Sequence, residues 1–231
     1  IGGIYAIDQL TTATLSASLD KYSQIAQSKV IVNKNTNFQR IKDSLNASKL
    51  KDLTTAIADV TDSQYVLFTE ISDVSFGDKK ENTLLFWQDD IFQRYYSLTV
   101  YLYNGVNGEQ VFEKNYSGSA PWKFNKRTQV DLQSLSFWQS EYGMMTKHII
   151  EQVTTDIDQE LMCEPTRAKI LSVNGDSVTF NMGSEHGVKV GDEFSLMHIA
   201  NSETNDGKMQ KHFRVSPYKV KVIQLTRTSA V

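Results

Sequence analysis

The chain has almost no cysteine, no long apolar run and no excess of basic residues. A single cysteine, Cys163, in a chain of 231 residues excludes an intrachain disulfide and a zinc site built on several thiolates. No stretch approaches the roughly 20 consecutive apolar residues that a transmembrane helix requires. The 24 Lys and Arg residues are outnumbered by 27 Asp and Glu, a balance that argues against a dedicated nucleic-acid-binding protein.

What remains is the composition of a folded globular protein. Apolar residues make up 40% of the chain and charged residues 22%, which excludes a disordered chain. At about 150 residues per domain, this length predicts two domains. The boundary is placed at residue 164, because Pro165 disfavours helical geometry in Glu164 and ends the last helical pattern. The formal charge is −5 for residues 1–163 and +2 for residues 164–231.

Residues 1–163 show helical and strand patterns in alternation, which predicts an α/β domain with helices on a sheet. Apolar residues at helical spacing predict helices over residues 8–27, 38–45, 50–60 and 137–161, with Thr11 or Thr12 as the first N-cap. Apolar or alternating segments predict strands over residues 30–32, 65–71, 94–103 and 110–116. A polar loop is expected from residue 72 to residue 82.

Residues 164–231 carry no helical pattern, so the second domain is predicted to be a small all-β, barrel-like unit. The expected strands are residues 167–173, 177–181, 193–198 and 218–226, with a polar loop over residues 202–210. Asn174-Gly175 is a strong hairpin signal because both residue types tolerate positive φ. The predicted fold class of the whole chain is therefore α+β.

The sequence lacks a convergent set of catalytic or metal-ligating residues, and we predict a protein without enzymatic activity, cofactor or metal site. The segment Gly183–Gly187 resembles a nucleophile elbow, but it carries Glu185 where the serine should stand. His148 and Glu151 have the spacing of half a carboxylate-bridged metal site, and no second half is found. Cys163 has the character of a small packed apolar residue rather than a reactive thiol.

One apolar run has no obvious place in the α/β pattern. It consists of Leu84, Leu85, Phe86 and Trp87, followed by Phe92, between a polar loop and a strand. One interpretation is a buried edge or short helix, and the other is a contact patch for a partner protein. Aromatic anchors dominate binding energy when they fill a partner's pocket, so these residues are the candidate partner-contact site.

Two stretches resemble known envelope proteins. Residues 2–8 leading into Leu15–Leu19 and then Val30–Asn33 look like the opening of TolB-N/CsgG-type domains, in which a helix with an L-x-x-x-L stripe precedes a strand. The later hairpin and long helix follow the same order. Ala168–Gly183 with Gly187–Phe194 resembles the C-terminal β-domain of the flagellar assembly protein FlgT family. The two stretches occur in the order of the middle and C-terminal domains of that family.

The resemblance implies a structural component of the H ring around the basal body of a bacterial flagellar motor, located in the periplasm. Such a component would self-associate in a ring and support assembly of the MotX/MotY T ring that holds the stators. No nucleic acid and no membrane span are expected. The alternative is another TolB-like envelope adaptor with no flagellar role, and the two are separated by locating the protein in cells with and without a polar flagellum.

Overall fold

The computed structural model describes residues 3–23, 26, 28, 30, 38–79, 92–126, 128–162, 164, 167–203 and 209–231. The chain divides into two compact units, Ile1–Glu164 and Pro165–Val231. The sequence places the domain boundary one residue earlier, after residue 163. Taken together, the two units contain helices and β-sheets, which confirms the predicted α+β class.

The first unit is built on an antiparallel sheet whose central strand pairs along both sides. Its strands are β1 (Tyr65–Asp73), β2 (Phe76–Lys79), β3 (Phe92–Asn104) and β4 (Gln110–Trp122). On one side β3 pairs with β1 and, near its start, with β2; on the other side it pairs with β4 along nearly its whole length.

Helices α1 (Ile7–Tyr22) and α5 (Glu141–Leu161) cover one face of this sheet, and we call them the helix layer. The alternation predicted along β3 is observed, since Tyr96, Leu98, Val100 and Leu102 are all at most 3% exposed. They form one apolar core with the inner faces of α1 and α5. Full burial of each such side chain contributes about 1.5–3 kcal/mol.

The other face of the sheet is covered at one end by α2 (Phe38–Ser44) and α3 (Ala47–Thr61). Phe38 stacks on Phe68 at a ring distance of 4.0 Å and packs against Tyr101 and Tyr103 in a small second core. The break expected between these helices is confirmed: Asn46 is an N-cap whose side chain accepts the backbone N–H of Lys49.

The first helix differs from its prediction at both ends. Neither Thr11 nor Thr12 is the cap, because Ala6 occupies that position with φ of 60° and no side-chain cap bond. Thr11 is instead buried, with its hydroxyl 2.8 Å from that of Tyr96. The helix ends at Tyr22 rather than at residue 27, because Ser23 is extended and its hydroxyl accepts the N–H of Ala26.

The long helix predicted over residues 137–161 is two helices, α4 (Leu135–Trp138) and α5. Ser140 separates them and caps α5 by accepting the N–H of Gly143 at 3.1 Å. The polar loop predicted from residue 72 is also wrong in part, since β1 continues to Asp73 and β2 follows. Phe76 fixes β2 in place by packing edge-on against Trp122.

The second unit has two antiparallel hairpins that do not close into a barrel in the described residues. The first joins β5 (Ile170–Asn174) to β6 (Ser177–Phe180), with Gly175 at φ of 59° in its turn. The second joins β7 (Glu193–Glu203) to β8 (Met209–Lys221). A small core of Phe180, Met182, Val188, Val222 and Ala230 lies between the hairpins and the last residues.

Candidate protein-contact surfaces

Of the apolar run predicted from sequence as a contact site, only Phe92 lies in the described part of the chain. Leu84, Leu85, Phe86 and Trp87 lie outside the described residues. Phe92 is the first residue of β3 and is half-buried, with its ring 6.4 Å from that of Phe76. The ammonium of Lys126 lies 3.1 Å from the centre of the Phe92 ring. Phe92 therefore forms part of the packed end of the sheet, at the point where residues 80–91 join it.

That end of the sheet is built around a fully buried arginine. The guanidinium carbon of Arg94 lies 4.3 Å from the centre of the Trp122 ring and 4.5 Å from that of Phe76. Its Nε donates to the backbone carbonyl of Val74 at 3.2 Å. Burial lowers the pKa of Arg94, and the nearby Tyr142 hydroxyl opposes this effect. These contacts place Arg94 at the centre of a packed cluster at this end of the sheet.

The glycine-rich segment at residues 183–187 has a structural role. The Gly183 N–H donates to Nδ1 of His186 at 3.0 Å, which closes the short 3₁₀ turn Ser184–His186. Gly187 has φ of 78°, as the turn interpretation requires. Gly183 does not have positive φ; a side chain there would meet the carbonyl of Thr226 instead. Glu185 pairs with Arg227 at 2.9 Å.

The helix layer carries an open groove on its outer side. The groove is lined by Ser18, Tyr22, Glu151, Thr154, Thr155, Asp158, Gln159 and Met162. Its floor is the contact between α1 and α5, where the Ser18 and Thr154 hydroxyls lie 2.9 Å apart. Its rim presents two apolar side chains to solvent: Tyr22 is 55% exposed and Met162 is 69% exposed.

The helix layer is acidic, although ion pairs offset part of its charge: Asp156 pairs with Lys114, Glu141 with Lys123 and Glu151 with Lys147. Helix α5 carries five acidic residues against one lysine, and α1 carries two against one. The two helices together therefore have a formal charge of −5, which equals that of residues 1–163 as a whole. Glu151 and Asp158 bring this charge to the groove itself.

In the second unit, the long hairpin of β7 and β8 forms an arm. Near its base Phe194 packs on Phe180, with ring centres 4.7 Å apart. Farther out, Met197 pairs with Val215, and neither belongs to the core of the unit. A two-stranded ribbon without a covering layer is only marginally stable in water. Met197 and Val215 are therefore exposed apolar positions on this ribbon.

A β-bulge in the arm exposes the side chain of Tyr218 to solvent. Ser195 pairs with Lys219 and Met197 with Val215, so three residues of β8 face a single residue of β7. Pro217 lies within the bulge and has no N–H for strand pairing. The N–H of Tyr218 donates to the Ser216 hydroxyl at 3.2 Å, and the Tyr218 side chain is 74% exposed.

The sequence patterns miss this surface, because residues 202–210 have the polar composition of a loop and the predicted last strand covers only residues 218–226. The available signal was Pro217 beside Ser216 and Tyr218, a proline inside an apolar alternation that is typical of a bulge. The arm is basic as well: β8 carries four basic residues and no acidic one. Arg214 and Lys219, both exposed, flank Tyr218.

Exposed apolar side chains are concentrated in the second unit. Among the described residues, eight large apolar side chains are exposed there, as many as in the first unit, which has more than twice the length. Such concentration is typical of interaction surfaces. No helix in the described part of the chain is long and apolar enough to cross a bilayer. Nowhere in that part do three His, Cys, Asp or Glu side chains converge to hold a metal ion.

Comparison with protein families gives two matches in chain order. The family described as "Flagellar assembly protein T, middle domain" matches residues 1–132, and "Flagellar assembly protein T, C-terminal domain" matches residues 175–231. The first match alone covers more than half of the chain. A search of curated protein sequences gives no significant match.

Comparison with solved structures gives matches at low sequence identity. A hypothetical protein from Chlamydia trachomatis is 12% identical with a TM-score of 0.50, over 70% of this chain and 87% of the other. A putative lipoprotein from Caulobacter crescentus is 12% identical with a TM-score of 0.31, over 53% and 88%. A lipoprotein from Neisseria meningitidis is 11% identical with a TM-score of 0.35, over 67% and 89%. Only the first of these similarities shows a shared fold.

Proposed function

Because this chain belongs to the flagellar assembly protein T family, we propose that it is a structural component of the H ring of the bacterial flagellar motor. It acts in the periplasm at the basal body, without enzymatic activity. Its role is structural: it contacts the T-ring proteins MotX and MotY and through them supports the stators.

The observation that carries this proposal is the presence of both family domains in one chain, in the order middle then C-terminal. The geometry supports a role in protein contacts. The second unit exposes apolar side chains in excess for its size, and the helix layer of the first unit offers an acidic groove with an exposed tyrosine and methionine. Surfaces of this kind are typical of proteins that assemble with others.

The proposed contact with MotX and MotY is the apolar run Leu84–Trp87 together with Phe92. Phe92 belongs to the packed end of the sheet, where the Arg94 guanidinium lies over the rings of Phe76 and Trp122. A contact segment that starts from a rigid support loses less conformational entropy when it binds. Trp87 is the strongest candidate anchor, because tryptophan is enriched among residues that dominate binding energy.

Trp87→Ala tests this proposal in purified basal bodies. We expect the variant to have the melting temperature of the parent and to fail to recruit MotX and MotY. Val60→Ala is the matched control, because Val60 is an apolar residue that is 87% exposed on α3. A Trp87→Ala variant that melts like the parent and still recruits MotX and MotY would refute the contact. A melting temperature lowered in proportion to about 3–5 kcal/mol would assign Trp87 to the core instead.

Location is tested separately, by fractionating cells with and without a polar flagellum. The proposal requires the protein in the periplasmic fraction and in purified basal bodies. Its absence from basal bodies of flagellated cells would contradict the H-ring assignment and favour the TolB-like envelope adaptor.

A further inference from the structure

We propose that the arm of one copy of this chain docks into the helix-layer groove of a second copy, so that copies join head to tail. This inference rests on the proposed function as a ring component and names the surfaces that join its subunits. The arm is the hairpin of β7 and β8, and the groove lies between α1 and α5.

The groove provides the acidic and receptive side of the contact. Glu151 and Asp158 line it, and its rim exposes Tyr22 and Met162. Methionine is suited to such a site because its unbranched side chain adapts to the shape of a partner. The hydroxyls of Ser18 and Thr154 form a polar floor, so the groove can accept hydrogen bonds as well as an apolar side chain.

The arm provides the complementary side. Tyr218 is 74% exposed on the proline bulge and is the natural anchor, with Val215 as a second apolar contact that is 65% exposed. Arg214 and Lys219 lie next to them along β8 and carry positive charge. A bulge that turns a side chain outward is a recurrent device at contact sites.

Charge complementarity is the reason to choose a second copy as the occupant. The acidic surface belongs to the first unit and the basic surface to the second unit of the same chain, with formal charges of −5 and +2 for residues 1–163 and 164–231. Two different surfaces that fit each other form a heterologous contact, which generates a closed ring when the rotation between subunits closes. Identical surfaces facing each other would instead bring like charges together.

Paired charge reversals test the contact by sedimentation of the purified full chain over a range of concentrations. The groove variant is Glu151→Lys with Gln159→Lys, both exposed positions on α5. The arm variant is Arg214→Glu with Lys219→Glu. We expect each variant alone to weaken self-association by about tenfold or more, because attraction becomes repulsion. Association should return when both variants are mixed in equal amounts, and also in the chain that carries all four changes.

Asp52→Lys with Ala56→Lys is the matched control for the groove variant, because it makes the same charge change at two exposed positions on α3. It should leave self-association unchanged. The proposal is overturned if the parent chain stays monomeric at every concentration, if the control weakens association as much as the groove variant, or if neither the mixture nor the four-fold variant restores it. Basal bodies play no part in this measurement, so its failure is distinct from failure of the H-ring function.

A photo-crosslinker placed at Tyr218 identifies the receiving surface directly. Mixing chains labelled with ¹⁵N and unlabelled chains distinguishes a crosslink within one copy from one between copies. We expect mixed-isotope crosslinks to peptides of α1 or α5. Crosslinks confined to one copy, or mixed-isotope crosslinks only to the second unit, would contradict the head-to-tail contact.

Discussion

Arg94 and Trp122 pack against each other inside the first unit, with the guanidinium carbon 4.3 Å from the centre of the indole ring. Arg94 has no exposed surface, and Trp122 is only 2% exposed. A planar guanidinium can stack on an aromatic ring while its edge donates hydrogen bonds, which an ammonium group cannot do. The pair therefore joins the start of β3 to the end of β4.

Arg94→Lys should lower the free energy of unfolding of the first unit by about 2 kcal/mol or more, because the stacking and the hydrogen bond to the Val74 carbonyl are both lost. All three tryptophans, at positions 87, 122 and 138, belong to the first unit, so urea unfolding followed by tryptophan fluorescence reports on it. Arg40→Lys, at an exposed position on α2 of the same unit, is the control and should stay within about 0.5 kcal/mol. Equal effects of the two substitutions would show that the stacking contributes little.

The sequence predicted the first unit best where apolar periodicity is strong. The buried face of β3, the break at Asn46 and the inner face of α5 all follow from local patterns, and the structure confirms them. It predicted the arm poorly. The polar residues 202–210 and the pair Ser216-Pro217 interrupt the alternation, so no continuous strand signal arises.

Long-range contacts account for the other differences. Thr11 was a plausible cap by its position, but the hydroxyl of Tyr96, 85 residues away, holds it in the core. Phe76 lies in a segment of loop-like composition, and only its packing on Trp122 makes that segment a strand. The groove combines residues of α1 and α5 that lie far apart in the chain, so it has no sequence motif of its own.

Gly143→Ala should be among the most damaging small substitutions in the first unit. A Cβ at Gly143 would lie 2.1 Å from the carbonyl oxygen of Phe137. The backbone of Phe137 cannot move away without disrupting the connection between α4 and α5. We expect a loss of about 3 kcal/mol in urea unfolding. Gly118→Ala is the matched control, because its Cβ would meet the flexible thioether of Met145 at 2.7 Å and should cost about 1 kcal/mol. The reverse order of the two losses would contradict the packing described here.

Tyr96 should make the first unit sensitive to alkaline pH. Burial raises the pKa of Tyr96 to about 12, and the hydrogen bond with Thr11 only partly opposes this. The unfolded tyrosine ionises near pH 10, so its contribution to stability is full below pH 10 and is lost as the pH rises towards 12. At pH 11 the loss should be about 1.4 kcal/mol.

Tyr96→Phe removes that ionisation and is measured by urea unfolding at pH 9 and pH 11. At pH 9 the variant should be less stable than the parent by about 1–3 kcal/mol, because the Thr11 hydroxyl loses its buried contact. Between pH 9 and pH 11 it should lose less stability than the parent. Parallel losses in parent and variant would show that Tyr96 does not carry the alkaline sensitivity.

Asp156 should make the stability of the first unit sensitive to acid pH. Burial by itself would raise the pKa of its carboxyl, but hydrogen bonds from Lys114 and Tyr116, each 2.6 Å from Oδ2, outweigh this and hold the pKa below its ordinary value. A lowered pKa in the folded state means that the contribution to stability is full above the unfolded pKa of about 3.9 and is lost as the pH falls through the folded value. Asp156→Asn should therefore cost about 1–2 kcal/mol at pH 7 and reduce the loss of stability between pH 5 and pH 2.

The measurement is urea unfolding of parent and variant at pH 7, 5, 3 and 2, again by tryptophan fluorescence. Asp59→Asn serves as the control, because Asp59 is exposed on α3 and lies outside this hydrogen-bonded group. It should leave the acid dependence as in the parent. If Asp156→Asn and Asp59→Asn give the same curve, the two hydrogen bonds to Asp156 do not stabilise the packing of α5 on β4. If only Asp156→Asn reduces the loss of stability at acid pH, the ionised carboxylate of Asp156 stabilises the fold. Its contacts with Lys114 and Tyr116 then help to hold the helix layer on the sheet.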